Sequence, residues 1–198
     1  MRKHHWVIAF LTLWTVLFIA ACGRDTPTTT TTTAPTTSPS SAPIVPPVYV
    51  MVVGGWGHDQ TLDIAHAINT QCPRAEVWVA GSWDAYKVDI AAHVRANANG
   101  RKIVLIGHSF GAAAIINATH QLPFVELLVF VDPVEYDWGN TELPTNIGDY
   151  LWFRRTNPIG PFRADVKGGK YTPIEGGHNN IPHNPELIHF TVNAVNSL

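Results

Sequence analysis

Val48-Tyr-Val-Met-Val-Val53 is a continuous, largely apolar run of six residues with no charged side chain, and it stops at Gly54-Gly55. A strand that is apolar on both faces needs cover on both faces, and a parallel sheet between two helical layers supplies it. Residues 102–106 and 126–131 repeat the pattern after their first residue, and Glu76 to Ala80 and Tyr150 to Arg154 read as two more strands. The intervening segments have helical spacing. Asp59 to Thr70 carries Leu62, Ala65 and Ile68 on one side; Asp84 to Asn99 ends at Gly100, placed for a left-handed cap; Phe110 to His120 ends before Pro123. A last helix begins at Asn184-Pro185, a capping residue followed by proline at the first helical position, with Leu187, Ala194, Val195 and Leu198 along its inner side. Strands alternating with helices predict an α/β class: a mostly parallel sheet flanked by helices on both faces, with right-handed crossovers. In such sheets function gathers at the carboxyl ends of the strands.

The folded part is expected from Val48 to Leu198. Residues 1–21 read as an export signal: Arg2 and Lys3, then an apolar run from Trp6 to Ala21 that is short for a membrane span. Ile19-Ala20-Ala21-Cys22 resembles the lipobox of bacterial lipoproteins. That resemblance implies lipidation of Cys22 and a chain exported and anchored to a bacterial membrane, facing the periplasm or the cell exterior; an uncleaved anchor helix is the alternative. Residues 22–47 include six consecutive threonines, Thr28 to Thr33, and repeated proline, a composition that cannot bury enough apolar surface to order itself. They read as a Thr/Pro-rich disordered tether. With Cys22 lipidated, only Cys72 remains, which excludes an internal disulfide and reads as a small buried apolar group. Over 48–198, ten Lys or Arg stand against fourteen Asp or Glu, a net charge near −4 that offers nucleic acid no basic footprint.

Gly107-His108-Ser109-Phe110-Gly111 is a G-x-S-x-G motif between an expected strand and an expected helix. In that context the serine occupies a tight strand-to-helix turn with its hydroxyl above the sheet, and the following helix turns its positive end toward the site. Ile103 to Ala114 resembles the nucleophile elbow of the α/β hydrolases, and the resemblance extends over the domain from Val48 onward. It implies a compact α/β-hydrolase fold without a cap domain, and a triad in the order Ser, acid, His. Ser109 is then the nucleophile. Asp132, directly after the fourth strand, resembles the acid of pancreatic-type lipases. The position more usual in the family, after the next strand, reads Thr156-Asn157-Pro158 and offers no carboxylate. Asp137 and Asp165 are the reserves. His178, in a glycine-rich loop before the last helix, is the candidate base, with His183 as its competitor. His108, beside the nucleophile, is expected to point away from it. The resemblance also implies an oxyanion hole from the backbone of Phe110 and of the Gly54-Gly55-Trp56-Gly57 loop, with Trp56 as donor and Gly55 in reserve.

The spacing of His178 and His183 is not that of metal ligands on one helical face, so neither metal nor cofactor is expected. The expectation is a monomeric serine hydrolase cleaving small-molecule or lipid esters, with its membrane contact made through the lipid anchor. A thioesterase or amidase acting on an envelope component, and a non-catalytic hydrolase-like binding lipoprotein, are the alternatives. The triad sets the reaction class, while the pocket sets the substrate.

Overall fold

The computed structural model describes residues 47–56, 61–80, 89–134, 142–157 and 163–198. They belong to one compact unit, Pro43–Leu198. The signal segment, Cys22 and all but the last residue of the expected tether lie outside the described residues, as do Gly57 and Asp137.

Among the described residues six strands form one sheet: β1 Val48–Val53, β2 Ala75–Ala80, β3 Lys102–His108, β4 Val125–Val131, β5 Ile147–Arg155 and β6 Thr172–Ile174. Their order is β2-β1-β3-β4-β5-β6, and every neighbouring pair is parallel. Among the described residues four helices cover it: α1 Leu62–Gln71, α2 Ile90–Ala98, α3 Phe110–Thr119 and α4 Pro185–Asn196. The period-two geometry of the strands sorts their side chains into two cores. Val48, Val50 and Val52 face α1 and α4, packing with Ile64, Ile68, Leu187 and Val195. Tyr49, Met51 and Val53 face α2 and α3, packing with Val94, Ile115 and Ile116. The apolar strands are thus covered on both sides, as predicted.

The chain passes from β1 outward to β2, then back across β1 to β3. The segments leaving β1 and β3 therefore depart to opposite faces, which opens a crevice at their carboxyl ends. Register brings those ends level. Val53 stands opposite Gly107, His108 opposite Val131, and Val131 opposite Phe153.

Several boundaries differ from the sequence reading. α2 starts at Ile90, where the Asp89 carboxylate accepts a hydrogen bond from Ala92 N at 2.6 Å. It ends at Ala98, so Asn99 (φ 52°) takes the left-handed cap position one residue before Gly100 (φ 76°). β5 begins earlier than expected, at Ile147, and continues through Arg155. β6 was not expected; it is three residues long and carries Pro173, tolerated because β6 is an edge strand. α4 starts as read: the Asn184 side chain accepts from Glu186 N at 2.9 Å and Leu187 N at 3.4 Å, and Pro185 follows it. Among the described residues no helix is long and apolar enough to cross a membrane. The described parts of the β4–β5 and β5–β6 connections carry the isolated bridges Val134–Arg163 and Glu142–Lys167 and no inserted helix.

Candidate active site

Ser109 follows β3 directly with φ 57° and ψ −122°. A non-glycine residue at positive φ is strained and persists only where its surroundings force it. Here the forcing is visible in two glycines. A Cβ on Gly107 would stand 2.5 Å from the Gly111 carbonyl oxygen, and one on Gly111 would stand 2.6 Å from that of Gly54. Strand, turn and helix pack backbone against backbone, and only glycine leaves the space. Gly55 crosses over the serine: a Cβ there would lie 2.7 Å from Ser109 Cβ and 3.2 Å from its Oγ.

His178 lies on the loop between β6 and α4, and its Nε2 is 2.9 Å from Ser109 Oγ. Its Nδ1 is 2.6 Å from Asp132 Oδ2. A carboxylate accepts only, so Nδ1 carries the proton, and Nε2 is left to accept from the serine hydroxyl. Asp132 is fully buried at the end of β4, with φ 43°, and its N–H donates to Phe153 O at 2.7 Å. Burial alone would raise its carboxyl. The hydrogen bond from His178 and the charge of Arg155 outweigh burial and hold it below the ordinary carboxylate value.

Arg155 is the residue that sequence reasoning missed. It ends β5, 2% exposed, and its Nη1 donates to the same Asp132 Oδ2 that accepts from His178. Its backbone N–H donates to Asp132 Oδ1 at 3.4 Å, and its Nε to Asn157 O at 3.0 Å. Nη1 and His178 Nδ1 are 3.0 Å apart. Both are donors, so their approach follows from sharing one acceptor and is not itself a hydrogen bond. The sequence signal was a charged residue closing a strand whose preceding residues, Trp152 and Phe153, are buried.

His108 has a structural role beside the serine. Its ring is fully buried, Nε2 donates to the His178 backbone carbonyl at 3.0 Å, and the two imidazoles lie 4.7 Å apart between centroids. Burial, then the adjacent His178, lowers its pKa from 6.5 to about 3. It therefore stays a neutral donor that anchors the loop carrying His178.

The reserve residues fall elsewhere. His183 lies on the 3-10 turn Ile181–His183 and pairs with Asp63 of α1 at 2.7 Å on the exposed surface. Asp165 pairs with Arg154 at 2.7 Å. Cys72 is buried at the end of α1, where burial raises its thiol pKa. Phe110 is the first residue of α3, at the helix end whose dipole favours negative charge. Trp56, after Gly55, is 75% exposed. Among the described residues no group of three His, Cys, Asp or Glu side chains could hold a metal ion.

The alpha/beta hydrolase family model matches residues 73–176, just over half of the chain, including Ser109 and Asp132. The chain belongs to that family. No curated protein gave a significant match. Among solved structures, an alpha/beta-superfamily hydrolase from Xanthomonas campestris is 12% identical, with a TM-score of 0.55 over 75% of this chain and 96% of that one. Human thioesterase 2 is 11% identical, with a TM-score of 0.51 over 75% and 96%. The esterase domain of a Rhodothermus marinus protein is 14% identical, with a TM-score of 0.50 over 78% and 87%. At these identities the likeness is one of fold, and the chemistry rests on the site.

Proposed function

We propose that this protein is a serine hydrolase that cleaves carboxylic esters through an acyl-enzyme. The observation that carries the reading is the continuous chain from Ser109 Oγ to His178 Nε2 at 2.9 Å and from His178 Nδ1 to Asp132 Oδ2 at 2.6 Å. Ser109 attacks the ester carbonyl while His178 takes its proton. Asp132 orients the imidazole and stabilises the imidazolium without itself becoming protonated. The oxyanion is received by backbone N–H groups of Phe110, at the start of α3, and of Trp56 or Gly55 in the loop over the serine. His178 then returns its proton to the leaving alcohol, the ester bond breaks, and water releases the acyl group by the same path in reverse.

Hydrolysis of p-nitrophenyl butyrate tests this. Ser109→Ala, His178→Ala and Asp132→Asn are each expected to lower kcat/KM by about 10³-fold or more while the far-UV circular dichroism is unchanged. Retention of activity in Ser109→Ala would refute the reading. A panel of matched esters, thioesters and anilides fixes the leaving group that the site prefers.

The same proposal places the enzyme at a membrane: residues 1–21 act as a signal, Cys22 is lipidated, and residues 22–47 tether the domain. Membrane contact is made by the acyl chains, several of which hold where one is marginal.

A further inference from the structure

We infer that Arg155 is the positioning residue of the triad: it fixes the Asp132 carboxylate in the orientation that His178 needs, and it works through Asp132 without touching the substrate. The inference rests on the serine-hydrolase reading and extends it to a residue outside the triad.

Asp132 is fully buried, and a carboxylate out of water must be paired. His178 offers it one hydrogen bond. Arg155 offers a permanent cation, since a guanidinium does not deprotonate in proteins. It grips both carboxylate oxygens, with the side chain on Oδ2 and the backbone N–H on Oδ1. The carboxylate therefore cannot turn about its terminal torsion without losing one of these bonds. The guanidinium is itself held, its Nε bonded to Asn157 O at 3.0 Å.

The elements explain how the grip forms. Asp132 N–H donates to Phe153 O, and this joins the end of β4 to β5 two residues before Arg155. Arg155 pairs in register with Ile174 of β6, and Thr156 N donates to Ile174 O at 2.9 Å. Four residues after Ile174 the chain reaches His178. The short edge strand thus brings base and arginine to one carboxylate. A lysine has one charged tip and could reach Oδ2, but it has no second nitrogen to anchor on Asn157.

The sharing of Oδ2 has a chemical consequence. The arginine holds the acid ionised and fixed, yet it competes with the imidazole for the same oxygen. The acid must therefore be aligned to within the tolerance of two donors, which is why its support is built from backbone as well as side chain.

A double-mutant cycle on the full-length protein tests the inference. Arg155→Met is expected to lower kcat for p-nitrophenyl butyrate by 10-fold or more with KM within about twofold, and Arg155→Lys to recover part of the loss. In an Asp132→Asn background, Arg155→Met is expected to change kcat by less than twofold, because the group it acts through is gone. An equal fold-loss in both backgrounds would overturn the proposal and leave Arg155 a purely structural residue. If Arg155→Met does not fold, the same cycle is run with Arg155→Lys, where a several-fold loss confined to the Asp132 background supports the inference and an equal loss in both overturns it. The far-downfield proton resonance of the His178–Asp132 hydrogen bond gives a readout without substrate. Its loss in Arg155→Met and retention in Arg155→Lys support positioning even if no ester is turned over, whereas an unchanged resonance in Arg155→Met overturns it whatever the activity.

Discussion

His108 and Gly55 show how single residues adjacent to the triad shape it. His108 is held neutral in the fold, its ordinary value of 6.5 lowered to about 3 by burial and the neighbouring His178. Between those values the unfolded chain binds a proton that the folded chain refuses, so stability falls as pH falls through this window, by up to about 1.4 kcal/mol per pH unit. Asp132 is shifted below its ordinary 3.8, so its contribution is present above that value and is lost as pH falls further. Urea midpoints measured downward from pH 7 are expected to decline from about pH 6.5, and His108→Gln is expected to flatten the upper part of that decline. Gly55 acts by absence of a side chain. In Gly55→Ala the new Cβ meets Ser109 Cβ at 2.7 Å, and displacing the proposed nucleophile by a fraction of an ångström is expected to cost about 10²-fold in kcat. Steady-state kinetics beside a melting curve separate this from unfolding.

At the scale of elements, the strand-turn-helix from Lys102 to Thr119 was legible because its glycines are consequences of backbone packing. Gly107 and Gly111 each lie where a methyl group would enter a neighbouring carbonyl. Gly111→Ala is expected to cost about 1–3 kcal/mol of stability as α3 is pushed from β1, read from the urea midpoint at constant m-value. The start of α4 was equally legible, because Asn184 followed by Pro185 is a capping pattern with one physical meaning, and Asn184→Ala is expected to cost about 1 kcal/mol. What escaped has a physical reason as well. β6 is too short to show a period, and its Pro173 argues against a strand everywhere except at an edge. Arg155 escaped because an arginine after an apolar run reads as a strand end reaching solvent, whereas here a buried carboxylate retains it. That His108 points away from Ser109 was legible, but its cover by the His178 loop was not, because the turn geometry says nothing about which loop will cover the preceding side chain.

For the whole molecule, the decisive feature is the reversal of strand order between β1 and β3. Gly55 lies against Ser109, and the level carboxyl ends of β3, β4 and β5 line up serine, aspartate and arginine. The alternation of apolar strands and helices announced this architecture, because both cores are built from period-two sorting of the same runs. Pairing of distant residues is set by register across the sheet, which no local pattern encodes. The proposed lipid anchor is tested at this scale by phase partition: the full-length protein is expected in the detergent phase of Triton X-114, and Cys22→Ala is expected to lose lipid labelling. The most direct test of the account is covalent. A fluorophosphonate applied to the native protein, followed by peptide mass spectrometry, is expected to yield one adduct, on Ser109, at a rate reduced in His178→Ala. A native chain that stays unlabelled, or an adduct carried by any other residue, would contradict it.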